Sequence, residues 1–236
     1  RTEGTTGYYR LTQNEAVMQH DAYAQQLEDL RTSTLEGVSN DRVRARMQSA
    51  LDTSRDQVLS KMMTHANNER ETHRTAVEVA AIDEAGQTAT ASATDAVAAM
   101  ASVNDVYQGT YDMLIRQGND PKVAKSQAET ASSASITDAF NSIVDDFPDK
   151  ARALLDAAKK KKGLLDGNVA AALETKFRAA DQTAKMLSGA DALTKGVAMH
   201  DAASVEAVLK NAATTYKTDP KMRQLVEGEI KSRAET

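Results

Sequence analysis

Residues 40–85 contain neither proline nor glycine, and this stretch limits the fold more than any other part of the chain. From Val43 a stripe can be traced through Met47, Ala50, Leu51, Ser54, Val58, Met62, His65, Ala66, Ala76, Val77 and Ala80. Steps of three and four dominate, which is the spacing of one stripe on an α-helix. The positions between them carry Asp41, Arg42, Arg44, Arg46, Asp52, Arg55, Asp56, Lys61, Glu69, Arg70, Glu71 and Arg74. A helix of this length would run roughly 65–70 Å at 1.5 Å per residue, so it reads as a strut.

The rest of the composition agrees with helix. Aromatic residues make up 4% of the chain and tryptophan is absent, so the core must be assembled from Ala, Leu, Val and Met. Small residues on helix faces allow close axial approach. Three prolines and eleven glycines leave few breaks. The fold class read from these features is all-α: long antiparallel helices followed by a bundle of shorter helix pairs. The absence of cysteine removes disulfides and thiolate metal sites from consideration. A net charge of −5 gives no bulk attraction for nucleic acid. No apolar run approaches the ~20 residues of a membrane span. The chain begins at Arg1, which suggests processing or excerption from a longer protein.

Taken in order, residues 1–7 are polar and read as a loose arm, which Tyr8, Tyr9 and Leu11 can dock onto a neighbouring helix or a neighbouring chain. Thr12-Gln13-Asn14-Glu15 has the spacing of a capping box, so a first helix is expected over residues 14–36, stopped by Gly37. Its stripe is Ala16, Val17, His20, Tyr23, Ala24, Leu27, Leu30 and Leu35. Ser39-Asn40-Asp41 caps the strut, and the short connection makes the two helices antiparallel. The first helix covers only half of the strut, so the remainder needs later helices or another subunit. Gly86 and the Ala/Ser/Thr tract over 88–94 predict a bend or a tight crossing, with helix resuming through Tyr107, Tyr111 and Leu114.

Gly118-Asn119-Asp120-Pro121 is a clear break, taken as the boundary between a domain at 1–118 and a helical bundle at 119–236. Helices are expected over 121–144, 148–162, 169–186, 202–216 and 220–234. Stops come from Asp145-Asp146-Phe147-Pro148, Gly163 and Ser188-Gly189, and Asp219-Pro220 repeats the Asp-Pro start of residues 120–121.

Three clusters invite a chemical reading, and each has a plainer one. His65, Glu69 and His73 lie four apart on the strut, a spacing that can hold a transition metal if a further ligand comes from elsewhere. They also read as polar residues where the apolar stripe thins. Lys159 to Lys162 can meet phosphate or an anionic membrane surface, but cations in the last turn of a helix complement its dipole. Asp145, Asp146 and Asp149 can do acid–base work or bind calcium, but acidic turns before proline are ordinary helix starts. No P-loop, dinucleotide glycine motif, nucleophile elbow or HExxH occurs. No catalytic, cofactor-binding or metal residue is therefore assigned. The residues assigned to self-assembly, as apolar side chains without an obvious partner in the chain, are Tyr8, Tyr9, Met62 and Met63.

Several segments share a rhythm. Tyr23-Ala-Gln-Gln-Leu27-Glu-Asp-Leu30-Arg is followed by the long polar helix containing Met62-Met-Thr-His-Ala-Asn-Asn-Glu-Arg70. Tyr111-Asp-Met-Leu-Ile-Arg-Gln-Gly118-Asn-Asp-Pro-Lys-Val-Ala124 makes a helix–Gly–Pro–helix join. Ile136-Thr-Asp-Ala-Phe140 leads through Asp145-Asp-Phe-Pro to Ala151-Arg-Ala-Leu-Leu155, Leu164-Leu-Asp and Ala170-Ala-Ala-Leu-Glu174. Over roughly residues 15–185 this pattern resembles the helical regions of bacteriophage internal virion, or ejection, proteins. The resemblance implies a protein packaged in the capsid of a short-tailed phage and ejected with the genome to form a conduit across the host envelope, in the periplasm. It implies homo-oligomers, contact with other ejection proteins or the portal and with the envelope, and passage of DNA without sequence-specific binding. Some members carry a lytic transglycosylase domain, whose catalytic Glu is typically followed by Ser; no Glu-Ser pair occurs here. Two other readings stay open: the helical scaffold of a peptidoglycan-degrading virion protein whose catalytic domain lies outside this segment, and a coiled-coil tape-measure or adaptor protein.

Overall fold

The computed structural model describes residues 7–235; of the loose arm read at residues 1–7, residues 1–6 lie outside them and Gly7 is helical. The described residues are all-α: nine helices and no strand. They are α1 (Asn14–Met18), α2 (His20–Glu36), α3 (Asp41–Ala91), α4 (Ala96–Arg116), α5 (Pro121–Asn141), α6 (Pro148–Lys160), α7 (Gly167–Thr194), α8 (Ala202–Thr215) and α9 (Pro220–Ala234). The strut is α3, and its 51 residues run without a break. Asn40 caps it as expected, its side-chain oxygen accepting from the Arg42 and Val43 N–H groups at 3.0 and 3.2 Å. It ends at Ala91, inside the small-residue tract, and Asp95 caps the restart by accepting from the Val97 and Ala98 N–H groups.

The chain divides into two compact units, residues 1–81 and residues 82–236, so the boundary falls within α3. This corrects the division at residue 118. The Gly118 break is real, with φ +83 at a position where glycine bears no Cβ penalty, but it makes a hairpin rather than a domain boundary. Of the helix pairs in the second unit, α4 and α5 pack most extensively, one on each side of that turn.

In the first unit, α1 and α2 lie antiparallel to α3. Gln13 meets Glu69, Glu28 meets Arg55 and Arg31 meets Asp52, so rising numbers on one side face falling numbers on the other. The core is small: Tyr8, Met62 and Ala66, flanked by Leu11, Val17, Tyr23, Leu27, Val58 and Leu59. Leu30, expected on the buried stripe, is 63% exposed. The single helix expected over 14–36 is interrupted at Gln19 (φ −90°, ψ −4°), although the backbone bonds Gln19 N–H to Glu15 O and Tyr23 N–H to Gln19 O bridge the irregularity.

In the second unit the main core joins Ala89 and Ala93 to Ala99, Met100 and Val103 of α4. To these it adds Ile136 and Phe140 of α5, Leu154 and Leu155 of α6, and Leu173 of α7. A smaller core gathers Ala190 of α7, Val208 and Ala212 of α8, and Val226 and Ile230 of α9. The link between them is α7, which continues through Ser188-Gly189 to Thr194, where the sequence suggested a stop. Gly189 is there for closeness: a Cβ would overlap the Tyr216 hydroxyl and press on Val226 Cγ2 at 3.3 Å.

Candidate self-association surface

The four apolar residues singled out for assembly separate into two pairs. Tyr8 and Met62 are fully buried, so the reading of these two as exposed and partnerless is corrected. Tyr9 and Met63 stand 40% and 58% exposed. The reason is geometric. Gly7 and Tyr8 are helical and Tyr9 and Arg10 turn, with Arg10 N–H bonded to Gly7 O and Leu11 N–H to Tyr8 O, which sends adjacent tyrosines to different environments. On α3, consecutive residues sit about 100° apart, so Met62 enters the core with Tyr8 and Ala66 while Met63 lies at its open edge, lining a groove with Val17 and His20.

The segment 7–13 is held onto α3 at three points. The Tyr8 ring packs edge-on to Tyr23 and His65, with centroids 5.2 and 5.6 Å away, and its hydroxyl donates to Ala16 O at 2.6 Å. Burial pushes the Tyr8 hydroxyl pKa upward, and Tyr9 beside it adds to the shift. His65 Nε2 lies 2.9 Å from Leu11 O. A carbonyl only accepts, so this ring nitrogen carries the proton. The Gln13 N–H donates to Glu69 Oε2 at 2.7 Å.

The last contact replaces the expected capping box. The N-cap of α1 is Gln13, which makes no side-chain cap bond, and Thr12 contributes only its carbonyl, to Glu15 N–H at 3.2 Å. A carboxylate from α3 takes the role that Glu15 was expected to fill. Gln13 also has φ +52° and ψ −131°, a conformation suited to glycine. His65 and Glu69, weighed above as metal ligands, thus direct polar atoms at the 7–13 segment instead. Among the described residues no group of three or more His, Cys, Asp or Glu is placed to hold a metal ion.

Further apolar side chains stand exposed on α3: Val43 at 47%, Val77 at 55% and Val79 at 41%. Met63 and Val77 are two heptads apart and therefore lie within about 40° of one another around the axis. Beside Met63, a shallow groove of about 340 Å³ runs between Val17 and His20 on one wall and Ala66 and Arg70 on the other.

In the second unit, two polar features were not legible as sites. Ser132 is fully buried and donates to Leu164 O at 2.7 Å, and Ser133 Oγ accepts from Asp166 N–H at 2.9 Å, tying α5 to the α6–α7 connection. Glu174 on α7 gathers Lys159, Arg152 at 2.7 Å and Arg178 at 3.8 Å. Hydrogen bonds from Lys159 and then Arg152 hold its carboxyl down at about 2. Arg152 also lies over the Phe177 ring, 5.3 Å from its centroid. Part of the lysine run is therefore structural: Lys159 and Lys160 close α6, and Lys159 is paired to α7. The acidic turn leaves Phe147 52% exposed as the N-cap of α6, without a side-chain cap bond.

The class defined by these features is an all-helical chain of two compact units with apolar residues exposed along its longest helix. Beyond that class no particular relative stands out: no family model, curated protein or solved structure matches the chain.

Proposed function

We propose that this chain is a structural virion protein of a short-tailed bacteriophage, ejected with the genome and self-assembling into part of a conduit across the host envelope. The observation that carries the reading is α3: a helix of 51 residues with Val43, Met63, Val77 and Val79 exposed. Apolar side chains at intervals along a charged helix favour side-by-side packing with sister helices, since association removes that surface from water. The family rhythm described above gives the assembly its setting, first in the virion and then in the periplasm. Its partners there are other ejection proteins, the portal and the envelope, with DNA passing without sequence-specific contacts. In this reading the segment acts by assembly and performs no bond chemistry.

The test is negative-stain imaging of the purified chain, alone and with the other internal proteins of the same virion, together with incubation on purified cell walls. Rings or tubes without release of muropeptides support the proposal. A compact monomer in every mixture, or muropeptide release by this chain, overturns it.

A further inference from the structure

The segment 7–11 is tied to the rest of the first unit by residues 12–13, and Gln13 is held in a conformation that non-glycine side chains rarely adopt. The surrounding contacts enforce it: Glu69 takes the Gln13 N–H, His65 donates to Leu11 O, and Tyr8 fills the space beside Met62 and Ala66. A short strained hinge between a docked segment and its receptor is the arrangement that favours exchange of that segment between copies. The receptor belongs to α1, α2 and α3, so a second chain offers the same Tyr23, Met62 and His65. The Tyr8 and Leu11 contacts can be remade in trans, where the hinge is free to leave its strained state.

We propose that residues 7–11 dock on the first unit of a second copy of this chain, so that two copies exchange anchors. The proposal deepens the self-association above and rests on it. The occupant of the receptor is specific: an aromatic anchor with a hydroxyl that reaches Ala16 O, followed at three residues by a carbonyl that reaches His65. Its exposed neighbour Tyr9, whose ring lies 5.5 Å from that of His65, travels with the anchor and marks its position.

The experiment uses the full chain with a photoreactive phenylalanine analogue in place of Tyr9. Unlabelled and ¹⁵N-labelled chains are mixed, incubated, irradiated and separated by size before mass spectrometry. Anchor exchange gives mixed-isotope cross-links between the peptide containing residue 9 and the α3 peptide containing His65, confined to the dimer and larger fractions. In parallel, Gln13→Gly removes the hinge strain from the closed monomer and is expected to weaken the dimer by about tenfold or more. Oligomers whose 9-to-65 cross-links are all same-isotope, or a dimer indifferent to Gln13→Gly, overturn anchor exchange and leave self-association standing. A monomer at every concentration overturns both.

Discussion

Tyr8 and Tyr9 are neighbours whose surroundings give opposite expectations. Truncating a buried aromatic leaves a cavity, so Tyr8→Ala is expected to destabilise the first unit by about 3–5 kcal/mol. Tyr8→Phe keeps the ring and loses only the bond to Ala16 O, which should cost about 1 kcal/mol. Tyr9→Ala should stay within about 0.5 kcal/mol. Urea unfolding followed by circular dichroism, with amide exchange to localise the change to the first unit, ranks the three. In the second unit, Glu174 gives a pH signature. Its carboxyl titrates at about 2 in the folded chain against 4.5 for an unperturbed group, so the folded state favours the ionised form. That contribution is fully present above about pH 4.5 and is lost as pH falls toward 2. Glu174→Gln should flatten the decline in melting temperature across this window and leave its pH dependence above it unchanged. An unaltered slope would mean that the Lys159 and Arg152 contacts do not persist in solution.

Helix ends follow local chemistry closely in this chain. Asp120 and Asp219 each precede a proline at the helix start and accept from the Lys122 and Met222 N–H groups at 2.8 and 2.9 Å. Replacing either with Ala should cost about 1 kcal/mol, read as a shift in the urea midpoint. Asn40, Gly118 and the two Asp-Pro pairs were legible in the sequence because the capping residue, the turn residue and the first helical residue are contiguous. What escaped sequence reading depends on distant partners. The cap of α1 comes from Glu69, more than fifty positions away. Gly189 lies inside α7 rather than at its end because Tyr216 occupies the space that a side chain there would need. The buried serines of α5 answer groups on the α6–α7 connection, and a run of Ala and Ser does not reveal which hydroxyls face inward. Tyr8 and Met62 were misread as surface for the same reason: each is the other's partner across the fold. Gly189→Leu is the sharpest test at this scale. It should improve intrinsic helix propensity yet lower stability by about 1–3 kcal/mol through overpacking against Tyr216 and Val226.

For the molecule as a whole, the core of the first unit is thin, while α3 carries a long charged surface with apolar side chains set into it. Hydrophobic surface left uncovered by one chain is available to another, and helix-on-helix packing between copies would bury Met63 and Val77 together. Association by this route is driven by apolar burial, so raising the salt concentration should leave it intact or strengthen it, whereas ion pairing alone would weaken. Met63→Glu with Val77→Glu puts two charges into that contact and should abolish assembly without altering the circular dichroism of the monomer. The most direct measurement is sedimentation velocity of the unmodified chain over a hundredfold range of concentration. The weight-average sedimentation coefficient is expected to climb with concentration to values well beyond that of the 25.4 kDa monomer. A single boundary at the monomer mass, the same at every concentration, would contradict it.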